Sequence, residues 1–176
     1  MPRLSRRRSF GVMGPLTEND IRASFVNCTK GEAKRLNLPA DLAGQPWDDL
    51  DFLGWRDPAS PQRAYLVAET ADGLVGVALR PATPHTGQPR RTMCSLCLTS
   101  HPGGGVTLMT ARKAGRSGQQ GNSVGGYFCA DLACSLYLRG KKDAGPGGRL
   151  HESLTLEEVV ERTGAKLAGF LGRVTG

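Results

Sequence analysis

"MCSLCLTSH" (Met93–His101) and "YFCADLACSLYL" (Tyr127–Leu138) decide how this chain folds, because each carries a pair of cysteines. Cys94-x-x-Cys97 sets two sulfurs three residues apart, a spacing that a tight knuckle can aim at a single point. Cys129 and Cys134 are five apart, and on one continuous helix their side chains would diverge by about 140°. The two pairs can share a metal only if Cys129 lies outside the helix. Asp131 is a good N-cap residue. Cys129 is therefore expected to end a strand, and Cys134 to fall at N3 of a helix running from Asp131 to about Arg139. At that position the thiolate would face free backbone N–H groups and the positive end of the helix, both of which lower its pKa.

A knuckle opposite a strand-to-helix junction is the arrangement of a treble-clef zinc finger. Four thiolates, from Cys94, Cys97, Cys129 and Cys134, fill a tetrahedron around Zn²⁺ and leave no position for water, so the predicted site is structural. The competing readings are weaker. A thioredoxin-like CxxC would open a helix after a core strand, whereas Cys94 follows a Pro-rich linker and "HPGGG" comes soon after Cys97. Two disulfides would need an oxidising compartment. His101 could replace one cysteine as a ligand, but four cysteines already suffice. The fifth cysteine, Cys28, lies on an apolar stripe and reads as a buried thiol.

The basic N-terminus, "MPRLSRRRSFGVMG", lacks the apolar core of a secretory signal. With paired cysteines and no export signal, the expected compartment is the reducing cytoplasm. No stretch approaches the roughly 20 apolar residues of a membrane span. Residues 1–15 are expected to be a disordered basic tail. Residues 16–176 are read as one domain: a helical and hairpin part over 16–89, a zinc-binding part over 90–142 and a C-terminal helix within 143–176. Hydrophobic residues make up only 39% of the chain, beside 24 Gly and 11 Pro, which points to a loop-rich fold with a small core in need of a staple.

Thr17 with Asp20 reads as a helix cap. Ile21, Phe25, Cys28 and Leu36 then recur at helical spacing, predicting one helix or two short ones from Thr17 to about Asn37. Gly31 is the expected weak point and Pro39 the stop. Trp47, Phe52 and Trp55 are expected to pin the following acidic loop, Asp48 to Asp57, over the core. "AYLVAE" and "LVGVAL" flank an Asp-Gly turn and read as a hairpin. "RPATPHTGQPR" reads as a linker; "GGGVTLMTARK" and "SVGGYFC" read as two further strands. A last helix is expected from about Thr155 to Leu171, with Leu156, Val159, Val160, Leu167 and Leu171 turned inward. The predicted fold class is α+β: a small domain of hairpins and a treble-clef zinc finger, flanked by N- and C-terminal helices.

Charge is concentrated. Between Arg90 and Lys142 stand eight Lys or Arg and one acid, Asp131, within a chain of net +7. Arg112, Lys113 and Arg116 flank one hairpin tip, and Arg139, Lys141 and Lys142 follow the second cysteine pair. These six are the candidate partner-binding residues, facing an acidic protein surface or ribosomal RNA. Part of the second group also suits the end of its helix. No Ser/His/Asp set, HExxH or GxxxxGK[ST] loop is present, and His85, His101 and His151 are scattered, so nothing argues for an enzyme or a small-molecule substrate.

"SFVNCTKGEAKRLNLP", "DLDFLGWRDP", "MCSLCLTSH" and "GNSVGGYFCADLACSLYLRGKK", in this order, resemble the elongation factor G-binding (FusB-type, FBP) family. More narrowly, they resemble its C-terminal treble-clef zinc-finger domain in the short stand-alone form found in actinobacteria. The resemblance covers about Leu16 to Gly172. It implies that the four zinc cysteines fall on Cys94, Cys97, Cys129 and Cys134. It also implies binding to elongation factor G, with release of the factor from ribosomes on which fusidic acid has trapped it, and no catalysis. The resistance proteins of the family carry a sizeable helical bundle ahead of this domain, where only Thr17 to about Asn37 is expected to be helical here. The alternative partner, in a different class, is RNA or the ribosome itself.

Overall fold

A computed structural model describes residues 12–83 and 90–176. The expected basic tail before residue 12, and residues 84–89 of the expected linker, lie outside it. Met13, within the stretch expected to be tail, is buried, and its N–H bonds the Leu50 carbonyl at 2.8 Å.

Two short helices come first, α1 (Glu18–Ser24) and α2 (Lys30–Arg35). Thr17 and Asp20 form the predicted capping box. The break between the helices falls before Thr29, not at Gly31, because Thr29 and Glu32 build a second capping box that restarts the helix. Between the two boxes Phe25 turns extended and pairs with Gly76. Cys28, at this break, is only partly buried, and burial pushes its thiol pKa up. A single 3₁₀ turn, Trp47–Asp49, leads into the sheet. Trp47, Phe52 and Trp55 are buried as expected, and the Trp55 indole N–H donates to the Asn37 carbonyl at 2.8 Å.

Five antiparallel strands form the main sheet: β1 (Leu53–Arg56), β2 (Ala64–Thr70), β3 (Gly73–Pro81), β6 (Val106–Arg112) and β7 (Ser123–Cys129), in that spatial order. Between β3 and β6 the chain makes a small two-stranded ribbon, β4 (Thr92–Met93) with β5 (Ser100–His101), whose turn carries Cys94 and Cys97. Helix α3 (Gly115–Gln119) caps the β6–β7 hairpin, α4 (Cys134–Leu138) follows β7, and α5 (Leu156–Thr175) ends the chain. The fold is α+β.

Alternation along the strands gives the sheet two faces. By register, Trp55, Tyr65, Ala78, Thr110 and Gly125 share one face. Helix α1 packs against this face, with the Phe25 and Tyr65 rings edge to face at 5.9 Å. Leu66, Val77, Met109 and Phe128 share the other, and all four are buried. Helix α5 covers that second face, with Phe170 edge-on to Phe128 at 5.0 Å. Its inner side is Leu167, Phe170, Leu171 and Val174, whereas Leu156, expected inside, is half exposed. Leu156 is the first residue of the helix and projects before the helix reaches the sheet.

Strands β3 and β6 pair only at Arg80↔Thr110 and Pro81↔Met109, then part. Asn27 fills the opening. Its Oδ1 accepts from Ala78 N–H at 2.8 Å, and its Nδ2 donates to the Ala78 and Arg112 carbonyls at 2.9 and 3.0 Å. One side-chain amide thus stands in for the next rung of the ladder.

Candidate metal centre

The knuckle between β4 and β5 is a tight turn tied by Leu98 N–H to the Cys94 carbonyl at 3.0 Å. Leu98 takes a left-handed conformation, φ 58°. Across from it, Cys129 ends β7 and the chain turns at Leu132, also left-handed at φ 56°, before α4 opens with Cys134. A left-handed backbone costs a branched residue about 1–2 kcal/mol. Two such residues beside the four sulfurs mark a turn geometry held by something stronger than local preference.

The helix begins later than expected. Asp131 does not cap it directly. Its Oδ1 accepts from Ala133 N–H at 3.0 Å, and its Oδ2 accepts from the Tyr137 hydroxyl at 2.8 Å and Lys142 Nζ at 2.6 Å. Cys134 is therefore the first helical residue, not the third. The junction still turns the second pair toward the first.

All four sulfurs lie within 4.8 Å of one another, and all four residues are buried. Cys94 Sγ is 3.7 Å from Cys134 Sγ, and Cys97 Sγ is 3.5 Å from Cys129 Sγ. A tetrahedron with metal–sulfur arms of about 2.3 Å has edges near 3.8 Å, so one zinc ion fits. A disulfide requires about 2.05 Å, and all the cysteines are free. Without a cation the four thiols compete for charge. Cys94 is pushed down by hydrogen bonds from Cys129, Cys134 and Cys97, while Cys134 is pushed up by its contacts with Cys129 and Cys94 and by burial. A divalent cation removes the conflict by ionising every ligand.

Around the sulfurs, Leu96 N–H points at Cys94 Sγ at 3.4 Å and Thr99 Oγ1 lies 3.2 Å from Cys97 Sγ. His101 is buried, and its Nε2 stands 3.3 Å from Cys129 Sγ. It is not a fifth member of the sulfur cluster. Burial lowers its pKa, so the neutral ring can donate Nε2–H to the sulfur, a contact that orients and tunes a ligand. Tyr137, edge-on at 4.5 Å, and the close approach of Gly105 fix the ring.

The chain matches the family described as FBP C-terminal treble-clef zinc-finger over residues 20–174. It belongs to that family. No curated protein and no solved structure matches it significantly. The FBP zinc-finger domain therefore spans the helices, the sheet and the four-sulfur cluster together, and zinc is its cofactor.

The six cations singled out in the sequence do not form one patch. Arg112 pairs with Ser123 at one end of the β6–β7 hairpin and Val106 with Cys129 at the other, about 20 Å away at ~3.3 Å per residue. Arg112 and Arg116 are exposed and Lys113 partly so. Lys141 and Lys142 are exposed near the metal lobe, with Lys142 held between Asp131 and the Tyr137 ring. Arg139 is spent internally. Its two terminal nitrogens grip Asp51 at 2.6 and 2.8 Å, with both side chains largely buried. This places part of the acidic loop back on the protein and takes Arg139 out of the surface set.

Proposed function

We propose that this protein is a non-enzymatic, zinc-stapled docking module that binds elongation factor G and favours its departure from the ribosome. Membership of the FBP zinc-finger family over residues 20–174 carries this reading. In it, zinc sits on Cys94, Cys97, Cys129 and Cys134, closed to water, and acts as a staple that holds knuckle, hairpin and α4 in one rigid body. The contacts come from Arg112, Lys113 and Arg116 at one end of the hairpin and from Lys141 and Lys142 at the other. The factor moves because the module binds one of its conformers more tightly and shifts the population toward it.

The test is retention of purified elongation factor G on the immobilised, zinc-loaded protein after nuclease treatment. Stoichiometric retention is expected, weakened at least about tenfold when Lys113 and Arg116 are both changed to Glu, since like-charge contacts cost several kcal/mol. No retention, with the protein co-sedimenting with ribosomes that lack the factor, would replace this reading with direct binding to ribosomal RNA.

A further inference from the structure

We propose that a second surface, on the sheet face opposite the metal lobe, binds single-stranded nucleic acid. Where β3 and β6 part, a groove of about 600 Å³ opens between α2 and the sheet. Arg35 of α2, Arg63 of the β1–β2 loop, Arg80 of β3 and Arg112 of β6 line it, and each is exposed. The four ion pairs described in the protein use none of them. Two acids also line the groove, and both are engaged by the fold. Asp57 accepts from the Asn37 amide, the Ala59 and Ser60 N–H groups and the Tyr65 hydroxyl, all within 3.1 Å. Glu32 caps α2 through Thr29 N–H at 2.7 Å and offsets only part of the charge of Arg35 and Arg112. Four arginines around one groove, with two committed acids, leave a site that attracts anions, and the planar fork of Arg matches phosphate oxygens in pairs.

The face beyond the groove selects the anion. Register places Arg112, Thr110 and Leu108 on β6 beside Ser123, Gly125 and Tyr127 on β7, all on the side that α1 leaves open. Tyr127 is half exposed, at 50%, about 13 Å along the strand from Ser123 at ~3.3 Å per residue. An arginine-lined track ending in an exposed ring suits phosphates followed by a stacked base. An acidic peptide would need an open apolar pocket for an anchor, and the large apolar residues that line the groove, Leu36, Tyr65 and Leu79, are all buried in the core, at 7%, 5% and 4% exposure. The surface goes beyond the docking proposed for elongation factor G, sharing only Arg112 with it.

Fluorescence anisotropy of the zinc-loaded full chain with fluorescein-labelled uridine and thymidine decamers tests this. Both are expected to bind, with affinity falling as salt rises. The double variant Arg63→Gln/Arg80→Gln is expected to lower the log–log salt slope by about 1.4, at ~0.7 per phosphate contact. Tyr127→Ala is expected to weaken binding about fivefold or more, with the slope unchanged. Lys141→Gln/Lys142→Gln should leave both quantities as they were. Tighter binding of the uridine decamer would assign the natural ligand to RNA, and equal binding to single strands of either sugar. Failure of both decamers to bind, or binding indifferent to Arg63, Arg80 and Tyr127 in variants with native thermal melts, would overturn the proposal. So would full displacement by polyglutamate with no effect of Tyr127→Ala, which would reassign the groove to an acidic protein. Retention of elongation factor G by the Arg63→Gln/Arg80→Gln and Tyr127→Ala variants is expected to be unchanged, while Lys141→Gln/Lys142→Gln is expected to weaken it, so this surface and the docking module fail separately.

Discussion

Arg139 sends its charge to a carboxylate 88 residues earlier in the chain. The pair with Asp51 is buried and bidentate, and Ser135 joins it by taking the Asp51 N–H at 3.0 Å on its hydroxyl and giving its carbonyl to Arg139. Removing one partner of such a pair strands the other charge, so Arg139→Met is expected to lower stability by about 3–5 kcal/mol. Urea denaturation measures the loss, and the double variant Asp51→Leu/Arg139→Met should recover much of it, because two apolar side chains leave no orphan. In the sequence Arg139 is one cation among several after the second cysteine pair. Its partner was not legible, because nothing local states which distant acid the fold brings to it. His101 shows the same limit: its residue type allowed a ligand, and only the fold shows a hydrogen-bonding neighbour of Cys129. The four cysteines were legible because spacing alone constrains where sulfurs can meet.

Elements were legible where their signals are local. Thr17 with Asp20 marks one helix start in the sequence, and Thr155 with Glu158 forms a capping box at another. Thr29 with Glu32 carries the same signature, but an apolar stripe runs across it from Ile21 to Leu36 and suggests continuity. The splay between β3 and β6 has no local signal at all, and neither does the role of Asn27 within it. Asn27→Ala leaves one N–H and two carbonyls of the parted strands without their partner. It is expected to cost about 1–3 kcal/mol, read as a lower urea midpoint with an unchanged slope. The glycine of β1 matters for a different reason. A Cβ on Gly54 would meet Leu132 Cβ at 2.6 Å, so the metal lobe rests directly on the strand backbone. Gly54→Val is expected to destabilise by about 1–3 kcal/mol through overpacking, checked by thermal melting with zinc bound.

At the scale of the whole molecule, the sheet separates two jobs. One face and its α5 cover form most of the core. The metal lobe packs beside it through Leu132 against Gly54 and through Arg56 donating to the Ala130 carbonyl at 3.2 Å. The other face is half covered by α1 and α2 and half open. No helix among the described residues is long and apolar enough to cross a membrane. The ribbon β4–β5 and the five-residue α4 are too short to persist alone, so the staple must supply their stability, and sites of this kind contribute about 10–16 kcal/mol. The most direct measurement is hydrogen–deuterium exchange by mass spectrometry on the zinc-loaded and the chelator-treated protein. A tetrathiolate staple predicts that peptides spanning Thr92–His101 and Cys129–Leu138 lose protection on chelation, while β2 and β3 keep most of theirs. Unchanged protection in both cysteine segments after the metal is gone would contradict it.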